Sequence, residues 1–261
     1  MLEGKVVFIT GAARGIGLGI SRAVLEAGGR VAMGDLDTVN LEEARKQLLL
    51  ETGKPEADVY AIGLNVTEEA SVGRALSAAE KHFGQLDGLV NNAGVIRMGP
   101  NIDSSVDDWN FQFEVNVTGT YICCNAFANR LDVAGGGGVI VNLASNAGKV
   151  GYPNMAAYNA SKAAIISLTR TLAAEWADRN INVNAVCPGG VNTPMLMDVA
   201  KSIGERTGED PEALVKTMVP AQLGRHIQPI EIGRTVVFLL SDDATIIRGQ
   251  SINIDGGDTP Y

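Results

Sequence analysis

Seven short runs of β-branched and apolar residues alternate with helix-length segments along almost the whole 261-residue chain. The strand candidates are Lys5–Thr10, Arg30–Asp35, Val59–Asn65, Leu86–Asn91, Val139–Ala144, Asn182–Cys187 and Gln250–Asp255. Several, such as Val139-Ile140-Val141, are continuously apolar, as strands covered on both faces are. Helical patterns lie between them at Ile16–Glu26, Leu41–Glu51, Glu68–Phe83, Val106–Ala134, Ala160–Arg179 and Glu231–Leu240. Such alternation builds right-handed βαβ units. The expected fold is α/β: a doubly wound parallel sheet of about seven strands with helices on both faces.

No linker and no repeat interrupts this pattern, and a chain of this length can bury one large core. Residues 1–261 are therefore expected to form a single domain that binds a dinucleotide and carries the catalytic groups. The four glycines Gly135–Gly138 read as a plain turn before a strand. One stretch breaks the alternation, from Thr193 to Gln228, with Pro194, a mixed helical pattern, a polar run at Gly204–Asp210, Pro211 and Pro220. A segment of this size after a strand is expected to form a substrate lid over the carboxyl edge of the sheet.

Composition excludes several functions. The net charge of −9, with no basic cluster, argues against nucleic acid as a partner. No apolar run is long enough to span a membrane, and no leader with a cleavage site is evident, so no membrane partner is expected. Three cysteines without disulfide or metal spacing and two histidines make a metal site an unsuitable reading. The cytoplasm is the expected compartment.

The chemistry concentrates where candidate strands end. Thr10-Gly11-Ala12-Ala13-Arg14-Gly15-Ile16-Gly17 follows the first strand and opens the first helix. Glycines let the backbone approach a pyrophosphate, and the helix N-terminus supplies free N–H groups and partial positive charge. The context points to dinucleotide binding on a Rossmann-type sheet, although the glycine spacing differs from the commoner Gly-x-Gly-x-x-Gly. Asp35 ends the second strand, where a carboxylate can accept from adenosine ribose hydroxyls. Asp37 reads as a surface carboxylate. Asn91-Asn92-Ala93-Gly94 ends the fourth strand, and Pro188-Gly189 follows the sixth.

Tyr158 and Lys162 stand four residues apart where a helix begins, so they share a face. A free phenol, with a pKa near ~10, is a poor base at neutral pH, and a neighbouring cation favours its phenolate. Ser145 offers a hydroxyl to hold a substrate oxygen beside that phenol.

Taken together, TGAARGIG, NNAG, Asn116, Ser145, YNASK, PG followed by Thr193, and Asp255-Gly256-Gly257 resemble the short-chain dehydrogenase/reductase family, in its short single-domain branch. The match runs from Lys5 to Gly257. The resemblance implies an NAD(P)-dependent oxidoreductase with Asn116, Ser145, Tyr158 and Lys162 as its catalytic set. Tyr158 would be the general acid or base. Lys162 would lower its pKa and hold the nicotinamide ribose. Asn116 would distort its helix and hold a water behind Lys162. The implied cofactor contacts are Gly11, Arg14, Gly15, Ile16, Gly17, Asp35, Asn65, Val66, Asn92, Ala93, Gly94, Tyr158, Lys162, Pro188, Gly189, Val191 and Thr193. Relatives often carry Asp where this chain has Asn65, whose neutral oxygen can still accept from the adenine amine. Arg14 sits where NADP-using relatives place a basic residue, but Asp35 favours NAD.

The expected activity is NAD-dependent interconversion of a secondary alcohol, small and polar, a polyol or sugar, with its ketone. Two readings compete: a 3-oxoacyl-carrier-protein reductase using NADPH, and a dinucleotide-sensing protein without activity. Small and apolar residues nearly encircle Ala163–Ala174, and with the resemblance they imply a homotetramer.

Overall fold

The computed structural model describes residues 1–133 and 136–259. It contains a single seven-stranded parallel sheet in the order β3-β2-β1-β4-β5-β6-β7. The strands are β1 (Val6–Thr10), β2 (Arg30–Asp35), β3 (Val59–Gly63), β4 (Gly88–Asn91), β5 (Gly138–Leu143), β6 (Ile181–Pro188) and β7 (Ser251–Ile254). All seven expected strands are present, with ends that differ by a few residues. The helices are α1 (Gly15–Glu26), α2 (Thr38–Thr52), α3 (Glu69–Phe83), α4 (Val106–Phe113), α5 (Gly119–Val133), α6 (Ala156–Glu175), α7 (Pro194–Thr207), α8 (Pro211–Thr217) and α9 (Pro229–Leu240).

The period of two along β1 divides the core. Val7 and Ile9 pack with α1, α2 and α9; Val6 and Phe8 pack with α3 and α5. All five residues of β1 are buried, which explains why the run carries no polar face. Helices α1 and α9 meet where a Cβ on Gly19 would lie 2.5 Å from the Pro229 carbonyl carbon, so only glycine permits that crossing.

Three expectations change. The pattern Val106–Ala134 is not one α-helix. Glu114–Thr118 is a turn of π-helix between α4 and α5, and Asn116 sits in its middle. Ala134 and Gly135, the end of that pattern and the first residue of the glycine turn, lie outside the described residues, as do residues 260–261 of the expected domain. The last long pattern begins earlier than expected, at Ala156, so Tyr158 falls within the first turn of α6. The stretch 193–228 contains two helices. Thr193 caps α7, with Pro194 in its first turn, and Asp210 caps α8 by accepting from Glu212 and Ala213. The base of this segment is closed by a bridge between Val191 and Ile227. Its far end is tied to the C-terminal Asp255-Gly256-Gly257 turn, since Ala221 N donates to Asp258 Oδ1 and Gln222 Nε2 to Gly257 O. Among the described residues, no helix is long and apolar enough to cross a membrane.

Candidate active site

The strand order reverses direction of growth between β1 and β4, which is where an open α/β sheet leaves a crevice at its carboxyl edge. The loop after β1 and the loop after β4 meet there. Asn92 Nδ2 donates to Thr10 O at 3.0 Å and Gly11 O at 2.8 Å, and Thr10 Oγ1 accepts from the N–H groups of Asn92 and Ala93. Asn92 thus clamps the glycine loop. A Cβ on Gly17 would fall 2.1 Å from Gly11 O, so a side chain there would push the loop open.

These residues fit a dinucleotide. Arg14, at the cap of α1, makes no side-chain bond to the helix end, which leaves the first-turn N–H groups free for a phosphate. Ile16 lies half-buried in that turn, and a Cβ on Gly15 would lie 3.4 Å from Thr193 Cγ2 at the base of the 193–228 segment. Asp35 accepts from Ala13 N and Asp37 N, one bond per oxygen at 3.0 Å, and each oxygen keeps a lone pair for a ribose hydroxyl. Arg14 is exposed. Bonds from Asn40 and then the charge of Arg14 hold the Asp37 carboxyl below the usual carboxylate range.

Not every expected contact is free. Asn65 Oδ1 accepts from Thr67 N and Thr67 Oγ1, so the oxygen expected to face adenine is turned on its own chain. Val66 is buried against Gly119, where a Cβ would lie 2.7 Å away. Pro188 is buried, Gly189 packs on Asp255, and Val191 is buried beneath Thr193.

Ser145, two residues beyond the end of β5, is extended and caps the short turn Asn146–Gly148, its Oγ accepting from Ala147 N at 3.1 Å. A Cβ on Gly148 would meet the Lys162 carbonyl carbon at 2.7 Å, so this turn lies directly on α6 beside Tyr158 and Lys162. Asn116 is buried in the π turn. Its Oδ1 accepts from Val95 N, and its Nδ2 donates to Val95 O and Ser161 Oγ. Its carbonyl already accepts from Thr120 Oγ1. Gly94 stands between the Asn116 amide and the Lys162 ammonium. The sequence marked all four polar residues but missed their supports, Gly148 and Ser161. The small residues between Ser145 and Tyr158 were the available signal.

The electrostatics differ from the simple expectation for a Tyr–Lys pair. Lys162 is 5% exposed and donates to Leu143 O at 2.7 Å, with its Nζ 5.7 Å from the Tyr158 ring centre. Burial pushes its pKa down from 10.5 to about 8. Burial also raises the Tyr158 phenol, offset in part by the Ser145 hydroxyl. In the free protein, desolvation outweighs the attraction between the two charged forms. The sign for stability follows from the lysine. Between pH 8 and 10.5 the unfolded chain binds this proton more tightly, so stability rises with pH there. The penalty is full below that window and absent above it, a change of about 3 kcal/mol. Lys162→Met lacks this term. Denaturant melts across the window should therefore shift the difference between the two proteins by that amount in favour of the wild type. Parallel curves would contradict the burial argument.

A cavity of about 220 Å³ lies at the opposite, amino edge, lined by Lys5, Asp87, Asn180 and Arg248 among others. Its lysine is paired with Asp242 at 2.5 Å and Arg248 bonds Asn180, so its cations are engaged, and none of the groups above reaches it. Among the described residues no cluster of His, Cys, Asp and Glu could hold a metal ion.

The family model described as Enoyl-(Acyl carrier protein) reductase matches residues 11–259. The chain is 40% identical over 259 residues to 2-(S)-hydroxypropyl-CoM dehydrogenase 3 of Xanthobacter autotrophicus, covering 99% of this chain and 98% of that one. The chain belongs to the short-chain dehydrogenase/reductase family. A second relative, D-threitol dehydrogenase of Mycolicibacterium smegmatis, is 37% identical, over 99% of this chain and 94% of the relative. The crystal structure of a variant of actinorhodin polyketide ketoreductase with NADPH superposes with a TM-score of 0.92 at 31% identity, covering all of both chains. As a short-chain dehydrogenase/reductase, the protein is an NAD(P)-dependent oxidoreductase of CH–OH groups.

Proposed function

We propose that this short-chain dehydrogenase/reductase oxidises small polar secondary alcohols, polyols or sugars among them, with NAD as coenzyme and Tyr158 as general acid and base. The observation that carries the reading is the packing of the Ser145 turn on α6, which gathers a hydroxyl, a phenol and a buried ammonium. Nicotinamide dinucleotide, when bound, supplies the acceptor carbon for hydride.

The chain's own groups do the rest. Ser145 Oγ holds the substrate oxygen. Tyr158 takes the alcohol proton as hydride leaves, and returns it in the reverse direction. Lys162, positive once protonated, favours the phenolate and holds the nicotinamide ribose. Asn116 secures the loop at Val95 and the start of α6 through Ser161, which fixes Lys162 in place. The glycine loop with Ile16, Ala93 and Gly94 would hold the dinucleotide, and Val191 and Thr193 would hold its carboxamide end. Segment 193–228 closes over the substrate and excludes water.

A second reading, reduction of a 3-oxoacyl group on a carrier protein with NADPH, is supported by the description of the family model and by the NADPH-bound neighbour. The lid argues against it. Lys201, Arg206 and Lys216 are exposed there, but so are Asp198, Glu205, Glu209, Asp210 and Glu212, which leaves no basic surface. A screen of both coenzymes against polyols, sugars, hydroxy acids and β-hydroxyacyl thioesters separates the two. Oxidation of a neutral polyol with NAD is expected to give the highest kcat/KM. Preferred reduction of an oxoacyl thioester with NADPH would overturn the proposal.

The protein is also proposed to be a cytoplasmic homotetramer. On α6, Ile165, Ile166, Thr169, Leu172 and Ala173 are buried, while Ala163, Ser167, Arg170, Thr171 and Ala174 form an exposed stripe suited to a second subunit. Light scattering at micromolar concentration should report four chains; a monomer would contradict it.

A further inference from the structure

Asn146 follows Ser145 and is itself buried, 5% exposed. Its Oδ1 accepts from Ser145 Oγ at 3.3 Å, and its Nδ2 donates to the Tyr152 hydroxyl at 2.9 Å. One amide therefore spans the hydroxyl at the reacting centre and a phenol farther out. Asn159 Nδ2, on α6, donates to Tyr152 O at 2.9 Å and fixes the backbone that carries this phenol. The Tyr152 oxygen acts as acceptor towards Asn146, which leaves its own proton uncommitted. Among the described residues nothing accepts that proton. The carboxylates nearest to it are used elsewhere. Asp258 Oδ1 accepts from Ala221 N, and Asp255 accepts from Gly257 N and from both the N–H and the hydroxyl of Thr259. Burial first, then the charge of Asp258, raises the Tyr152 phenol above its ordinary range; the Asn146 bond offsets this and Asp255 adds to it. Tyr152 is thus a protonated donor in a negative surrounding, with 36% of its surface exposed.

We propose that Tyr152 is a specificity-determining residue: its hydroxyl, aimed by Asn146, donates to a second, uncharged oxygen of the substrate beyond the reacting carbinol. Asn146 is the positioning residue that couples this contact to the Ser145 hydroxyl. The inference rests on the reading as a secondary-alcohol dehydrogenase, and it narrows the substrate to alcohols with another hydroxyl or carbonyl. A carboxylate or sulfonate at this place would be repelled by Asp255 and Asp258.

The size of the effect follows from exposure. A fully buried donor left without its partner discriminates by several orders of magnitude, but water reaches Tyr152, so a factor of about ten is expected. The test measures NAD-linked kcat/KM for a butanediol with vicinal hydroxyls, the matching secondary butanol and hydroxybutyrate. The wild type should prefer the diol. In Tyr152→Phe the ratio of diol to butanol should fall by about tenfold. Asn146→Ala should lower the same ratio and also lower kcat on both alcohols, because Ser145 loses its partner. Each ratio is internal to one variant, so it does not depend on the fraction folded. An unchanged ratio in both variants, or a wild type that prefers hydroxybutyrate, overturns the inference while the dehydrogenase reading stands. A wild type that oxidises none of these alcohols with NAD overturns both.

Discussion

Replacing Tyr158 by Phe should lower turnover by about 10²- to 10⁴-fold, the scale of a lost general acid or base. The ring stays, so packing around α6 and the contact with Lys162 persist; only the proton-carrying oxygen goes. Coenzyme affinity should therefore stay near that of the wild type. Lys162→Ala should differ by weakening coenzyme binding as well, since its ammonium serves two partners. Isothermal titration of NAD alongside steady-state rates separates the two effects. Near-normal turnover in Tyr158→Phe would refute the assignment of this phenol.

The second large effect concerns the coenzyme. In the proposed binding mode Asp35 accepts from the adenosine ribose hydroxyls, and in NADP one of these carries a phosphate. Two unit charges ~4 Å apart at an effective dielectric near 20 repel by ~4 kcal/mol, and the part exposure of this site lowers that figure. The lost hydrogen bond adds ~1.5–3 kcal/mol, and Arg14 returns some by pairing with the phosphate. A remaining penalty of about 3 kcal/mol favours NAD by more than about a hundredfold. Asp35→Ser should remove the repulsion, free Arg14 and move the ratio of kcat/KM strongly towards NADP. A wild type that uses NADP as well as NAD would remove the basis of the assignment and promote the carrier-protein reading.

The sheet was legible because its strands are covered on both faces, and continuous apolar runs such as Val139-Ile140-Val141 leave no other reading. Asp35 and Asn91 stood out because they fall at strand ends, and Tyr158 and Lys162 because their four-residue spacing puts them on one helix face. What escaped was geometry set by tertiary contact. The resemblance implied that Asn116 distorts its helix, but not the form of the distortion, a π turn whose Asn116 side chain is held by Val95 and Ser161, partners 21 and 45 residues away in sequence. The helical pattern of the 193–228 segment was legible only as a mixed one, without its division into two helices, because α8 buries none of its residues and α7 buries only Ala200 and Gly204. The burial of Lys162 was equally invisible, because a Tyr-x-x-x-Lys spacing gives proximity without giving desolvation.

The most direct test is single-turnover oxidation of the preferred alcohol, followed by stopped-flow absorbance of the reduced coenzyme from mildly acid to alkaline pH. The rate in the wild type should climb with pH as the Tyr158 phenol, raised by burial, gives up its proton. The same measurement on Tyr158→Phe should be slow and lack that rise. A flat profile in the wild type, or a variant that tracks it, would contradict the account.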